Sequence, residues 1–317
     1  MKDNLPKESG PMPRILIVDN DPRTRRAYQE LLKHWGYQPI LVQGEGQSLL
    51  ENAQSLAKEH RCQLVLMDMR LIDDFDEDDK SGLELISKLE PASCIIFSAR
   101  GNLADARKAE EKGAKGFVGK GEGPKALQER LEREAHKMCA AKKGLRIEPV
   151  EILERLGNPL MGSQVPAHYY DQIADAFLRL FPDAQRLRVE KIGTTHISSD
   201  LLTVPRPRSV ILKVYEDDRQ PVIVKLARVH KIRRELNNFK TYIKGRLYGN
   251  YVPVLEKETI LWDIGGLKLS YVGTIDQNFS NFFANQRIGK IRQSLTNFFK
   301  ATWIPYYKQP AEVENIS

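Results

Sequence analysis

"LVLMDMRLIDDFDEDDKSG", residues 64–82, begins as an apolar run, stops on Asp68, and continues into a stretch crowded with carboxylates. A short run of this kind reads as a strand buried on both faces. Its last residue then emerges at the carboxyl end of a sheet. An acid there, with more negative charge beside it, is costly unless cations arrive at the same place. Which residues arrive is decided by the neighbouring segments.

Working outward, "RILIVD" (14–19) is a second β-branched run ending on an acid, Asp19. Asp21 suits a helix N-cap and Pro22 the first helical position. Ala27, Leu31, Leu32 and Trp35 then share a helical face. "QPILVQ" (38–43), a helix through 46–60, "QLVLMD" (63–68), a short helix over 81–89, "CIIFSA" (94–99), a helix over 101–113, "KGFVGK" (115–120) and an amphipathic helix from Pro124 to Met138 complete the pattern. Five strands alternate with five helices, which predicts an α/β fold, a doubly wound parallel sheet covered on both faces. Functional residues in such sheets gather at the carboxyl ends of the strands. Those ends carry Asp19, Asp68, Ser98 and Lys120: two carboxylates, a hydroxyl and an ammonium.

These residues carry a resemblance. Segment 14–139 is similar to the receiver (CheY-like) domain of bacterial response regulators, which has a flavodoxin-like five-stranded sheet. The resemblance implies that Asp68 in "LVLMDMR" accepts a phosphoryl group from a histidine kinase or phosphotransfer protein. It implies that Asp19, the Asn20 position, Asp68 and the backbone carbonyl of Arg70 hold Mg²⁺. It makes Ser98 of "FSA" and Phe117 the switch residues and Lys120 the cation for the phosphoryl oxygens. The chemistry suits these types, because phosphoryl transfer needs an in-line oxygen nucleophile and neutralisation of the transferred oxygens. The chain departs from the family in three places. Asn20 stands where a second acid is usual, Gly121 follows Lys120 where proline is usual, and the loop after Asp68 is long. A receiver that no longer accepts phosphoryl, kept as a docking scaffold, is the alternative.

The acidic loop also invites a calcium reading, since Asp74, Asp76 and Asp78 alternate as in an EF-hand. The sixth position would be Asp79 instead of glycine and the twelfth Leu85 instead of glutamate, so that reading is rejected. A solvated insertion is expected, with docking on the basic second half as the weaker option.

Residues 1–13, polar and proline-containing, read as a disordered lead-in with no signal-peptide core. No stretch approaches the roughly 18–20 apolar residues that a membrane span requires. The three cysteines, Cys62, Cys94 and Cys139, have no CxxC spacing, which fits reduced thiols and a cytoplasmic protein. Charge balances over residues 1–145, with 24 basic and 24 acidic residues. The whole net charge of +7 lies in the remainder, 25 basic against 18 acidic. The scatter of these cations and the lack of a helix-turn-helix pattern argue against a nucleic-acid partner.

Residues 140–184 read as a helical connector. "PVEILERLG" (149–157) is a helix ended by Gly157, and "AHYYDQIADAFLRLFP" (167–182) is a second, with Tyr170, Ile173, Ala174 and Phe177 on one face. These helices could pack between the domains; a homodimer through them is the other option. Residues 185–317 read as an α+β domain with an antiparallel sheet. The strands are 186–193, 209–216, 221–227, 258–264 and 267–273, the last two joined at Gly265–Gly266, with a long helix over 229–247 and helices over 276–286 and 287–304.

This order resembles the N-terminal lobe of protein-kinase-like folds, in the aminoglycoside-phosphotransferase branch. The resemblance implies that Lys225 of "VIVKLA" pairs with nucleotide phosphates and that Glu235 of "IRRELNNF" is its partner. Catalytic signatures are missing: the 193–209 loop has one glycine, and no HGD or HRD motif follows residue 230. "WDIGG" (262–266) sits in a hairpin and is rejected as a metal-binding motif. The chain ends at Ser317, where a catalytic lobe would begin. The sequence therefore predicts a phosphoacceptor signalling protein with a non-catalytic kinase-like output domain. The alternative is a receiver-regulated small-molecule phosphotransferase, truncated here.

Overall fold

The computed structural model describes residues 13–73, 75–76, 78–99, 102–161, 168–191, 209–217, 219–244, 253–271 and 287–300. Its first half is a five-stranded sheet of β1 (Arg14–Val18), β2 (Gln38–Leu41), β3 (Leu64–Met67), β4 (Ser93–Ser98) and β5 (Gly116–Gly119). The strand order is β2-β1-β3-β4-β5 and every pair is parallel. Helices α1 (Pro22–His34), α2 (Gly46–Glu59), α3 (Ser81–Leu85), α4 (Leu103–Glu111) and α5 (Pro124–Met138) alternate with the strands. This is the flavodoxin-like fold that the alternating pattern predicts.

Period-two alternation divides the sheet between two cores. Leu16, Val18, Val65, Met67, Cys94 and Ile96 pack with α2 and α3 on one face. Ile15, Ile17, Leu64, Leu66, Ile95 and Phe97 pack with Leu32 of α1 and Leu127, Leu131 and Ala135 of α5 on the other. The strands are apolar throughout because both faces are covered.

The second half holds a mixed six-stranded sheet, ordered β10-β11-β9-β8-β7-β6. It comprises β6 (Arg146–Glu148), β7 (Arg186–Lys191), β8 (Ser209–Glu216), β9 (Val222–Arg228), β10 (Leu255–Ile260) and β11 (Ile264–Ser270). The remaining helices are α6 (Ala140–Lys143), α7 (Ile152–Met161), α8 (His168–Leu180), α9 (Val229–Asn238), which runs into a π-helical turn over Phe239–Ile243, and α10 (Ile288–Phe298).

Several expectations change here. Strand β6 is an addition: three residues of the expected connector pair in parallel with β7. Residues 140–184 are not a separate connector, because Leu156, Leu160, Phe177 and Phe181 pack into the core of this second sheet. Helix α7 runs through Gly157, which is buried, so packing of its apolar face overrides the glycine stop signal. The hairpin turn is Leu261–Asp263, and Gly265 and Gly266 lie inside β11. Their role is close packing. A Cβ on Gly266 would sit 2.9 Å from Leu226 and 3.0 Å from Leu180, and one on Gly265 would sit 3.0 Å from the Thr259 carbonyl. The lead-in 1–12, the helix expected over 276–286 and most of the 193–209 loop lie outside the described residues.

The second unit docks on the amino-terminal edge of the parallel sheet, away from Asp19 and Asp68. Trp262, at the β10–β11 turn, packs against the core of the parallel sheet and donates its indole N–H to the Cys62 carbonyl at 3.0 Å. Asp263 accepts from Arg61 Nε and from Gln172 Nε2, both at 2.8 Å. Buried Asp175 of α8 accepts from the Ala140 N–H at 2.8 Å and from Gln63 Nε2 at 3.4 Å. Arg179 Nη1 donates to the carbonyls of Pro91 and Ile260 at 3.4 and 3.3 Å. Among the described residues, no helix is long and apolar enough to cross a membrane.

Candidate functional site

Three strand ends build the site. Strands β1 and β3 run in parallel register, Val18 beside Met67, so the next residues, Asp19 and Asp68, emerge side by side. Both are buried. Strand β5 lies one strand further on, beyond β4, and Lys120 follows it directly in a short 3-10 turn, Lys120–Glu122. Its Nζ bonds Asp68 Oδ2 and Asp19 Oδ2, the latter at 2.8 Å. The sequence reading placed these three residues at one rim, and the structure brings them into contact.

The two carboxylates are held in fixed orientations. Asp68 Oδ1 accepts from the Met69 N–H at 2.6 Å, and Asp19 Oδ1 from the Asp21 N–H at 2.9 Å. Burial pushes the Asp19 carboxyl above its ordinary pKa, and the Asp68 charge adds to that, while Lys120 opposes both. Burial pulls the Lys120 ammonium down, but the charges of Asp68 and Asp19 outweigh it and leave the group raised. Two carboxylates thus share one ammonium, an arrangement that a second cation would relieve.

Ser98 is buried at the last position of β4, in register with Gly119. Phe117 is half-buried in β5 and packs against the core beneath the site. Asn20 follows Asp19 and is half-exposed. Arg70 lies two residues after Asp68 and is buried. Asp21 is committed elsewhere: it caps α1, accepting from the N–H groups of Arg23 and Thr24 and from the Thr24 hydroxyl. The Thr24 hydroxyl and the Arg23 N–H hold its carboxyl below the usual range.

Other contributors gave no signal in the sequence. Arg25 is buried and donates to the Asp19 carbonyl at 2.7 Å. Tyr28 and Phe97 meet edge to face with ring centroids 4.8 Å apart, and Lys120 lies 5.9 Å from the Phe97 ring centre. With Asp19 and Asp68 these rings line a void of about 10 Å³, roughly one water in size. Gly82 was legible only as the last residue of the acidic stretch. A Cβ there would lie 2.2 Å from the Asp68 carbonyl oxygen and 2.8 Å from that of Met69.

Much of the acidic stretch is local scaffolding. Asp79 accepts from the N–H groups of Ile72 and Asp73 at 2.9 Å and of Ser81 at 2.8 Å. Burial acts to raise its pKa, but bonds from Ser81, Asp73 and Ile72 outweigh it and lower it. Among the described residues, no group of three or more His, Cys, Asp or Glu side chains is placed to hold a metal ion. The donors present at the rim are nonetheless hard oxygens, Asp19 and Asp68 with the Asn20 amide and the Arg70 carbonyl nearby in the chain. That chemistry and the crowding of the two acids fit Mg²⁺.

In the second unit, Lys225 Nζ bonds Glu235 Oε1 at 2.7 Å, joining β9 to α9. The three cysteines are free and buried, and burial pushes the Cys62 and Cys94 thiols up to about 12 and Cys139 to about 11.

Residues 15–132 match the family model of the response regulator receiver domain. This segment is similar to receiver domains over somewhat more than a third of the chain, and the chain joins it to the second unit described above. Similar solved structures include a CheY-like receiver domain protein from Methanospirillum hungatei JF-1, 22% identical over 39% of this chain and 94% of that one, with a TM-score of 0.33. A two-component response regulator of the LuxR family from Aurantimonas sp. SI85-9A1 is 27% identical over 39% and 84%, also at 0.33. The BeF3-activated receiver domain of RstA from Klebsiella pneumoniae is 18% identical over 38% and 97%, at 0.33. A comparison with curated proteins gave no match.

Proposed function

We propose that the chain is a response-regulator-type signalling protein that accepts a phosphoryl group on Asp68 from a histidine kinase or phosphotransfer protein. The observation that carries this reading is the shared ion pair: one ammonium, Lys120, bound to both Asp68 and Asp19. In the step, an Asp68 carboxylate oxygen forms the new O–P bond as the bond from phosphorus to the donor breaks, and the electron pair leaves with the donor. Lys120 neutralises one transferred oxygen, and the Ser98 hydroxyl donates to another. Asp68 Oδ1 is anchored by the Met69 N–H, so the carboxyl is oriented before the donor arrives. Asp19, Asp68, Asn20 and the Arg70 carbonyl would hold Mg²⁺, which supplies charge neutralisation at the phosphoryl oxygens. With no acid at position 20, the affinity for the metal is lower than a third carboxylate would give. Ser98 and Phe117 relay the modified state to the surface, and a cytoplasmic setting goes with this reading.

The test uses acetyl phosphate, or beryllium fluoride as a mimic, with and without Mg²⁺. Mass spectrometry or the Tyr28 and Phe117 resonances should report Mg²⁺-dependent modification of the wild type and none of Asp68→Asn. Wild type that stays unmodified under both donors overturns the proposal and leaves the docking scaffold.

A second reading is favoured by the Lys225–Glu235 pair, that the second unit binds a nucleotide. Calorimetry should then show ATP binding that Lys225→Ala abolishes. Absence of binding assigns the pair to structure alone.

A further inference from the structure

Lys120 reaches the two carboxylates at the end of a flexible four-carbon stem, and its two ion pairs leave the path of that stem open. What surrounds the ammonium therefore decides how firmly it is held. The side chain is 20% exposed, so most of it has left water. The sheet directs it. Phe97 of β4 stands in register with Val118 of β5, and both face the core covered by α1 and α5. Gly119 is still extended, so Lys120, two residues after Val118, starts on the same side of the sheet. Its Nζ comes to lie over the Phe97 ring, 5.9 Å from the ring centre. The face of the ring carries the negative side of its quadrupole and attracts a cation, more strongly where water is thinned out.

Phe97 is held in turn. It is buried, and Tyr28 of α1 meets it edge to face, with 4.8 Å between centroids and 87° between planes. Tyr28 packs half-buried against the same core. The two rings line one void with Asp19 and Asp68, of about 10 Å³. A space of roughly one water keeps bulk solvent from the inner side of the acids, so their attraction for Lys120 is screened less than at an open surface.

We propose, on the reading of Asp68 as the phosphoacceptor, that Phe97 braced by Tyr28 is a positioning residue that seats the Lys120 ammonium between Asp68 and Asp19. The rings touch no reacting atom. They keep the cation in place before a donor arrives, so that it need not be ordered as charge develops on the transferred oxygens.

Four single variants test this: Phe97→Leu, Tyr28→Leu, Tyr28→Phe and, as a control, Ile95→Val, which trims the same core two residues earlier in β4. Urea unfolding reports what each costs the fold. Nitrogen-15 NMR of the Lys120 ammonium reports how well its protons are shielded from exchange with water, and needs no phosphoryl donor. Acetyl phosphate with Mg²⁺ reports modification of Asp68. Phe97→Leu and Tyr28→Leu should broaden the ammonium signal and slow modification by roughly two- to fivefold. Tyr28→Phe keeps the ring and should do less than Tyr28→Leu, and Ile95→Val should leave the ammonium signal sharp. A signal in Phe97→Leu as sharp as in the wild type, or one broadened equally by Ile95→Val, overturns the proposal and gives the aromatic pair to packing alone. So does an unchanged modification rate in Phe97→Leu. Wild type that no donor modifies overturns the phosphoacceptor reading instead, and the ammonium signal still decides whether the rings seat Lys120.

Discussion

The Asp68 carboxyl depends on a neighbour that has no side chain. Gly82, the first glycine after the acidic loop, is buried and donates its N–H to the Met69 carbonyl at 2.9 Å. Its Cα presses on the Asp68 carbonyl so closely that a Cβ would lie 2.2 Å from it. No rotamer relieves a clash with backbone. Gly82→Ala should cost roughly 3 kcal/mol or more in urea unfolding, at the upper end of overpacking effects, and should slow acetyl phosphate modification of Asp68. A second residue invites a pH test. Burial pushes the Asp175 carboxyl up to about 6, against backbone and Arg179 interactions that favour the anion. The folded chain therefore holds this proton more tightly than the unfolded chain does. The stability it contributes is complete below pH 4 and is lost as pH rises through about 6, by roughly 3 kcal/mol in all. Asp175→Asn should remove that part of the slope in melts between pH 4 and pH 7, and an unchanged slope would place the titration elsewhere.

Elements were legible where local chemistry decides them. Asp21 and Pro22 announced the start of α1, and the structure shows Asp21 accepting from Arg23 and Thr24 and proline in the first turn. Short, near-continuous apolar runs announced all five strands of the first sheet. Where packing between distant segments decides, the reading failed. Gly157 should have ended a helix, but the apolar face of α7 holds it through the glycine. Gly265 and Gly266 read as a turn and are instead two points of close approach inside β11. Helix α4 was legible by period but not by its anchor. Asn102 caps it, and the first-turn acid Asp105 returns the bond to the Asn102 N–H. Asp105 also takes Lys80 at 3.0 Å, tying α4 to the end of the acidic loop. The chain separation of that pair hid it from any local pattern. Asp105→Ala removes both functions and should destabilise the protein by about 1–2 kcal/mol, the size of a lost cap plus a partly buried ion pair. Asp105→Asn, which keeps an acceptor, should cost less, and denaturant midpoints of the two variants decide the point.

At the scale of the molecule, the Asp19–Asp68–Lys120 cluster and the second unit occupy opposite edges of one parallel sheet. Asp19, Asp68 and Lys120 stand at the carboxyl ends of the strands, and Arg14, Arg61, Gln63 and Pro91 lie at or just before the amino ends. The four-residue rim was readable because each member closes its own strand. The opposite edge was not, since its partners come from segments some two hundred residues away, Arg61 with Asp263 and Cys62 with Trp262. Those contacts combine an apolar wedge with a partly screened ion pair, 23% and 22% exposed. The wedge carries more, because the ion pair alone is worth about 1 kcal/mol or less at such exposure, whereas truncating a half-buried tryptophan removes much of a large apolar contact. Trp262→Ala should therefore loosen the two units: a single calorimetric transition in the wild type should divide into two. A double-mutant cycle on Arg61 and Asp263 should return a coupling of roughly 1 kcal/mol, moderated by Gln172, which shares the Asp263 carboxylate at 2.8 Å. Asp68 modification should proceed at an unchanged rate in Trp262→Ala, since the wedge touches the sheet at its far edge. A slowed rate would mean that the docked unit and Asp68 are coupled through the length of β3.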